Sequence, residues 1–453
     1  MTRHLHFMGI GGVGMCGLAE VAHVSGSVVS GCDVASSERT ERLSAMGIDI
    51  RLGHDPSHLD GVDAVVYSAA VGDGEAELES ARSRQIAVIR RAVMLGELMD
   101  GRRGVAVAGT HGKTTTTALI GHLVTEAGLD PTVLVGGHAR FANSNARVGG
   151  GELLVCEADE YDRAFLELHP TMAVVTNLEP EHLDIYGSAA DLEAAFVTFC
   201  NQTPANGRVV LCRDDVGSWS LAGSIDRKVI GYGFSPEAEL RATDIRTGPA
   251  GSRFTVTRDG VALGEAEISL PGRFNILNTL AALAVGLEIG LPFARLAEGC
   301  ESFRGVARRF DVLGDRDKIT VVDDYAHHPT EIEAVLEAAR QAFPGRRLVV
   351  VFQPHLYSRT RDFSEAFARA LLGADRVVVL PIYPARERPI DGVDEALVVS
   401  SAIRLGHPAI SAGPAPDEAP AFVDDLLEAG DVLVTVGAGD VHRVAEDWLR
   451  GAA

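Results

Sequence analysis

Residues 109–117 read Gly-Thr-His-Gly-Lys-Thr-Thr-Thr-Thr and follow the short apolar run Val105-Ala106-Val107-Ala108. The order predicts a buried strand, a glycine-rich turn and a helix opening at the threonines. Such a turn aims backbone N–H groups and a helix N-terminus at an anion. Lys113 adds a point charge and a threonine hydroxyl can hold Mg²⁺. Val107 stands where the usual phosphate-loop pattern has its first glycine, but the Gly112-Lys113-Thr114 core after a strand is still specific. A nucleoside triphosphate is therefore expected along Gly109, Thr110, His111, Gly112, Lys113, Thr114 and Thr115, and function starts from ATP or GTP chemistry.

Upstream, Leu5-His6-Phe7-Met8 leads into Gly9-Ile10-Gly11-Gly12-Val13-Gly14 and a helical run from Met15 to His23. A second strand over 27–31 ends at Asp33, and further strands fall at 64–67 and 87–89. Alternating strands and helices predict an open parallel sheet. The glycines match G-x-G-x-x-G, and Asp33 lies where a ribose-binding acid would sit. Taken alone this points to a dinucleotide-binding dehydrogenase or to a tight turn with no ligand. Diphosphate binding is what the bare backbone supports.

Downstream, strands are expected at 153–156 and 172–176, with a helix over 275–289. Residues 228–270 look β-rich, as a sheet inserted on one side. From about Asp315 the alternation resumes, with strands at 319–322, 348–352, 376–380 and 432–436 and a helix over 330–342. The length of 453 residues independently suggests about three domains.

Charge narrows the partners. With 41 basic and 63 acidic residues the formal net charge is −22, which repels nucleic acid and anionic lipid. No apolar run reaches the ~18–20 residues of a membrane span. The start Met1-Thr2-Arg3-His4 lacks signal-peptide features, so a cytoplasmic protein is expected. Six cysteines without a C-x-x-C spacing read as reduced, mostly buried thiols. Cys16 is the one with a second reading. At a helix start its thiol could be activated by the helix field, or it could simply pack the core.

Chemistry concentrates at strand ends. Glu157-Ala158-Asp159-Glu160 follows the strand at 153–156, where Mg²⁺ ligands are expected beside a phosphate loop. His182, in Asn177-Leu178-Glu179-Pro180-Glu181-His182-Leu183-Asp184, reads as a metal or phosphate contact or as a structural histidine. Asp323-Asp324-Tyr325-Ala326-His327-His328-Pro329 and Gln353-Pro354-His355-Leu356-Tyr357-Ser358-Arg359 follow two apolar strands. Their histidines, tyrosine and arginine suit a small carboxylate; the adjacent histidines could also bind a transition metal, though third and fourth ligands are missing from the pattern.

Together these motifs resemble the Mur ligases, in particular the branch that joins L-alanine to UDP-N-acetylmuramate in peptidoglycan precursor synthesis. The resemblance runs the whole length in order. It covers Gly9–Gly14, Gly109–Thr117, Glu157–Asp162, Asn177–Asp184, Gly272–Asn278, Arg308-Arg309-Phe310, Asp323–Pro329, Gln353–Arg359 and Gly437-Ala438-Gly439-Asp440. It implies a bacterial cytoplasmic α/β enzyme of three domains. These are a Rossmann-like UDP-sugar domain (1–103), a central P-loop ATP-binding domain (104–313) and a Rossmann-like amino-acid domain (314–453).

The resemblance also assigns roles. The glycine loop becomes a cradle for the UDP-sugar diphosphate, with Gly11, Gly12, Val13, Gly14, Asp33 and Ser68 on the substrate. Lys113 would contact the β/γ-phosphates, Thr114 and Glu157 one Mg²⁺, and His182 a second. Asn275 and Asn278 match an adenine-contacting pair, Arg309 an ATP contact and Asp323 a ribose contact. Tyr325, His327, His355 and Arg359 match positions associated with alanine, and His327 could serve as a base or as a binding group. The implied reaction passes through an acyl phosphate that closing domains would shield from water.

Three positions depart from the family's common pattern: Phe274 in place of histidine, Leu356 in place of arginine, and Tyr161-Asp162-Arg163 in place of a serine- and glycine-containing run. The absence of lysine from His182 to Arg213 fits the alanine branch, since ligases for later amino acids carry a carbamylated lysine. The nearest rival is a ligase that recycles a whole tripeptide onto the same UDP-sugar. An NAD-dependent oxidoreductase and a non-catalytic nucleotide switch are the rivals of other classes.

Overall fold

Apolar runs bounded by glycine turns become parallel strands, and each run of strands closes into its own sheet. The computed structural model describes residues 3–68, 70–72, 74–385 and 387–451, with the backbone alone at 183 and 184. The chain forms two compact units. The first comprises 1–244, 255–266 and 277–303; the second comprises 245–254, 267–276 and 304–453.

The first sheet contains β1 (His4–Met8), β2 (Val28–Asp33), β3 (Asp49–Leu52), β4 (Ala64–Tyr67) and β5 (Ala87–Arg90). Its order is β3-β2-β1-β4-β5, with every ladder parallel. The order reverses at β1, so the glycine loop after β1 opens into the crevice where such sheets bind ligands.

The central sheet is built around β6 (Arg103–Ala108), β7 (Thr132–Ala139), β8 (Ser144–Arg147), β9 (Leu153–Glu157), β10 (Met172–Val175), β11 (Arg208–Cys212) and β12 (Lys228–Gly233). Then come β13 (Leu240–Gly248), β14 (Gly251–Arg258) and β15 (Val261–Ile268). The order is β15-β14-β13-β12-β11-β10-β6-β9-β7-β8. The stretch 228–270 is thus not a separate inserted sheet. β12 pairs in parallel with β11, and Tyr232 pairs with Leu240 of β13, so these strands extend one edge of the central sheet. Here β6 lies between β9 and β10, which places the phosphate loop between the acidic run and the segment after β10.

The third sheet contains β16 (Asp311–Arg316), β17 (Ile319–Asp324), β18 (Leu348–Phe352), β19 (Arg376–Val379), β20 (Ile410–Ala412) and β21 (Val432–Val436). Its order is β16-β17-β21-β18-β19-β20. Only the β16–β17 ladder is antiparallel.

Within the first unit, the helix Val13–Val24 packs against β7 and β8 through small residues. A Cβ on Gly17 would lie 3.0 Å from Leu134 and 3.1 Å from Asn145. Cys16 is wholly buried in this contact, its Sγ donating to Asn145 Oδ1 at 3.3 Å and to the Val13 carbonyl at 3.4 Å. Burial pushes the thiol pKa up, and the Arg39 and Arg42 charges and the Asn145 bond only oppose that. Of the two readings of Cys16, the structure favours core packing: desolvation outweighs the helix field. A small alkylating reagent is expected to leave Cys16 unmodified in the native protein and to label it after denaturation, by peptide mapping. Labelling before unfolding would contradict this packing.

Candidate functional site

The phosphate loop depends on two glycines. Gly109 has φ +130° and a Cβ there would sit 2.2 Å from Thr176 Oγ1; Gly112 has φ +80° and a Cβ 2.7 Å from Asn278 Oδ1. No side chain fits either place. Asn177 fixes the turn by accepting the His111 N–H at 2.7 Å, while Thr176 Oγ1 donates to the His111 carbonyl at 2.6 Å. The helix Lys113–Glu126 then starts at Lys113, with Thr114 and Thr115 buried in its first turn. Asn278 accepts from Thr116 Oγ1 at 3.2 Å, so one of the two expected adenine residues backs the loop. Three residues earlier on the helix Arg273–Ile289, Asn275 donates to the Pro271 carbonyl at 2.7 Å.

Lys113 is held by Glu160, both of whose carboxylate oxygens lie 2.9 Å from Nζ, and by the Gly109 and Thr110 carbonyls. Burial disfavours the charge of Lys113, but Glu160 and the neighbouring Asp159 and Glu157 more than restore it, so the ammonium persists. Burial pushes the Glu160 carboxyl up, against the pull of Lys113. Glu160 also shares a metal-sized group with Glu181 and His182, whose ligand atoms lie within 4.8 Å of one another. The structure thus brings His182 to the phosphate loop's acidic neighbour. Glu160 belongs to the acidic run in which metal ligands are expected, although Glu157 is the residue assigned there; Glu181 is not marked in the sequence. Glu157, at the end of β9, accepts the Gly136 N–H from β7.

Backbone strain gathers at the same place. Asp162, Arg163 and His182 have φ of +53°, +55° and +56°. Non-glycine residues in this region are uncommon and cluster at functional sites. The departure at Tyr161-Asp162-Arg163 thus carries a cost that a glycine would avoid. Tyr161 meets the His182 ring edge-on at 5.3 Å between centroids.

The glycine loop of the first sheet is anchored by Asp33, whose Oδ2 accepts the Gly11 N–H at 2.8 Å. Ser68, following β4, lies across from Gly9, 3.7 Å from where a Cβ would be. Arg91 joins this loop to the acidic run. Its Nη1 would lie 2.8 Å from a Cβ on Gly14, and its Nη2 is 3.4 Å from Asp159 Oδ2. No sequence motif marked Arg91.

In the second unit, the ends of β17 and β18 carry the other cluster. Tyr325 is covered by Arg308 and Arg309, at 4.8 and 5.1 Å from its ring centre. The His327 ring lies 6.0 Å from that of His355, and His355 stacks on Tyr383 at 5.7 Å. The Tyr325 carbonyl accepts from His327 Nδ1 at 3.2 Å, leaving Nε2 with the lone pair in the neutral ring. Burial lowers the His327 pKa, opposed by Glu331 and assisted by the Arg359 and Arg309 charges. Arg359 is therefore an electrostatic neighbour of His327.

Leu356 has φ +71° and ψ +136° just before the helix Tyr357–Leu371 that presents Arg359. Asp323 is 1% exposed, with Arg308 Nε at 3.1 Å and Thr435 Oγ1 at 2.6 Å. Phe274 is partly buried against the core around Val350 and Ala338, so apolar packing holds its ring.

Asp324 accepts the Phe310 and Ala326 N–H groups at 2.6 and 2.7 Å, and burial pushes its carboxyl up to about 7. A folded pKa above the unfolded ~3.9 means stability is lost as pH rises from about 4 through 7. Asp324→Asn is expected to flatten that slope, measured by urea unfolding across this range. An unchanged slope would place the titration elsewhere.

A phosphate loop at the turning point of a mostly parallel sheet, acidic groups beside its lysine and Rossmann-like partners define an ATP-using α/β enzyme of three domains. Family models match along the chain in order: the Mur ligase family catalytic domain over 4–103, the Mur ligase middle domain over 107–286 and the Mur ligase glutamate ligase domain over 308–439. The chain is 46% identical over 448 residues to a UDP-N-acetylmuramate–L-alanine ligase of Salinibacter ruber, covering 99% of this chain and 94% of that one. The crystal structure of a UDP-N-acetylmuramate–alanine ligase from Thermotoga maritima superposes with a TM-score of 0.85 at 30% identity, covering 99% of each chain. A murein peptide ligase from Psychrobacter arcticus shares the fold, with a TM-score of 0.73 at 23% identity over 99% of this chain and 98% of that one. The chain belongs to the Mur ligase family.

Proposed function

We propose that this protein joins L-alanine to the carboxylate of UDP-N-acetylmuramate at the expense of ATP, in the bacterial cytoplasm. The observation that carries the reading is Arg91, which links the diphosphate-binding glycine loop to the acidic run beside Lys113. A sugar nucleotide on that loop can thus present an acid toward a triphosphate on the next. The names of the alanine-ligase relatives support the choice of substrates. No helix is long and apolar enough to cross a membrane among the described residues. We assign 1–103, 104–313 and 314–453 to UDP-sugar, ATP and amino-acid binding respectively.

In the reaction, a muramoyl carboxylate oxygen attacks the γ-phosphorus, the bond to the β,γ-bridging oxygen breaks and ADP leaves. The alanine nitrogen then attacks the acyl carbon, the carbon–oxygen bond to phosphate breaks and the amide remains. Lys113 exchanges Glu160 for phosphate oxygens and neutralises charge as the phosphoryl group moves. Glu160, Glu181 and His182 offer the carboxylate-rich donor set that a hard cation takes, and Thr114 and Glu157 are the proposed residues for another. Mg²⁺, when bound, would neutralise the triphosphate oxygens. Arg359 holds the alanine carboxylate, with Tyr325 and His355 beside it. Neutral His327 accepts the ammonium proton at Nε2.

The test is ADP release with UDP-N-acetylmuramate present, screened across L-amino acids and the recycled tripeptide, with the product identified by mass. Release with alanine and a product heavier by one alanine residue is expected. Release that ignores the amino acid, or that needs the tripeptide, rejects the assignment.

A further inference from the structure

Behind the glycine loop, four chain segments bring metal-binding side chains to one buried point. His6 stands on β1, Cys32 on β2, His58 on the 3-10 turn Pro56–Leu59 and Glu77 in the first turn of the helix Ala76–Ser83. One ligand atom from each lies within 4.8 Å of all the others. Glu77 is fully buried and His6 is 1% exposed. Glu77 Oε1 is 2.9 Å from His6 Nε2 and 3.3 Å from His58 Nδ1, and Cys32 Sγ is 3.3 Å from Glu77 Oε2.

Cys32 Sγ donates a hydrogen bond to Glu77 Oε2, but the approaches of the other atoms are not satisfied in the same way. His6 Nε2, His58 Nδ1 and Glu77 Oε1 are all buried and aimed at one another, and their short contacts lack hydrogen-bond geometry. Buried polar atoms are rarely left so, and three converging on one point mark a missing common partner. The alternative to a shared cation is that both imidazoles carry a proton here and donate to Glu77 Oε1.

We propose that His6, Cys32, His58 and Glu77 form a closed, four-coordinate site for a divalent cation of the zinc class. Two imidazoles, a thiolate and a carboxylate match the nitrogen- and sulfur-rich sets that zinc takes, and differ from the oxygen-rich sets of Mg²⁺. Bond lengths of roughly 2.0–2.3 Å in a tetrahedron put neighbouring ligand atoms about 3.3–3.7 Å apart. The present spacing needs only small side-chain shifts to reach that. The thiolate and carboxylate charges cancel a dication, so the buried site becomes neutral, with the cysteine proton released to solvent on binding.

Outer contacts fit the same assignment. Ser30 Oγ lies 2.9 Å from His6 Nδ1, fixing the ring with Nε2 inward, and is itself 2.9 Å from His4 Nε2. His54 Nδ1 lies 3.1 Å from Cys32 Sγ, where its N–H can stabilise a coordinated thiolate. Such supporting bonds are typical of metal-bound histidine and cysteine. The Cys32 carbonyl also accepts the Gly9 and Ile10 N–H groups at 2.8 and 3.1 Å, and the next residue, Asp33, holds Gly11. The cation therefore stiffens the strand end that carries the glycine loop.

The site is tested on the full chain by stripping it with a chelator and titrating with Co²⁺ and Zn²⁺. Wild type is expected to bind roughly one equivalent of Co²⁺, with tetrahedral visible bands and a near-ultraviolet thiolate band, displaced by Zn²⁺ and accompanied by a rise in Tm. Cys32→Ser should lose the thiolate band, and His58→Asn should weaken binding by at least about tenfold. Wild type without a thiolate band overturns the proposal whether or not either variant folds. A band that persists in Cys32→Ser overturns it equally.

Discussion

Lys113→Ala is expected to lower kcat/KM by about a thousandfold or more, roughly 4 kcal/mol in the barrier. The triphosphate loses the cation fixed at the head of the helix Lys113–Glu126, and no other lysine is near enough in sequence to replace it. Activity within about tenfold of wild type, under ~1.4 kcal/mol, would remove the phosphate loop from the mechanism. The fold should survive, but not unchanged. Without Lys113, Glu160 remains buried beside Asp159 with its main counter-charge gone. Its carboxyl, already pushed up by burial, rises further and takes a proton. The variant should therefore lose stability as pH rises above the unfolded carboxylate value of about 4.3. Lys113→Ala/Glu160→Gln should regain that stability without regaining activity. Urea unfolding beside the kinetic assay separates the two effects.

How far this arrangement was legible beforehand depends on which kind of force sets each part. The strands at β1, β4, β6 and β18 are short apolar runs closed by glycine or polar residues, and burial alone marks them. The glycine loops announce themselves because their backbone geometry excludes side chains. The edge strands β13 to β15 were legible as strands but not as part of the central sheet. They join it because β12 pairs in parallel with β11, Arg208 opposite Lys228, a choice that the alternation within 228–270 does not encode.

Site residues divide in the same way. Lys113 sits inside a motif and Glu160 inside an acidic run at a strand end, whereas Glu181 looks like any loop carboxylate until the fold places it with Glu160 and His182. The strained backbone at Asp162, Arg163, His182 and Leu356 is invisible in sequence because none of them is glycine. His6, Cys32, His58 and Glu77 come from four segments at irregular spacings, so no ligand pattern could expose them. For Cys16 the helix alone left two readings open, and the burial against Asn145 that decides for core packing comes from another sheet.

Arg359→Ala is expected to raise the half-saturation for L-alanine by about a hundredfold, since removing one partner of a desolvated charge pair costs about 2–5 kcal/mol. Half-saturation for ATP and UDP-N-acetylmuramate should change far less. Arg359→Lys should recover only part of the loss, because an ammonium cannot reproduce the planar fork that grips a carboxylate. A structural arginine could also weaken binding, so a second readout is needed. The Arg359 charge helps keep the pKa of His327 low, behind burial and against Glu331. Its removal must raise that pKa, leaving more of the imidazole protonated near neutrality and unable to accept the alanine proton. The acidic limb of the rate profile should therefore move to higher pH in Arg359→Ala and stay near the wild-type position in Arg359→Lys, where the charge remains. Equal losses for all three substrates with an unmoved profile would make Arg359 a packing residue and shift the carboxylate contact to Arg309, which shares the cluster through Tyr325.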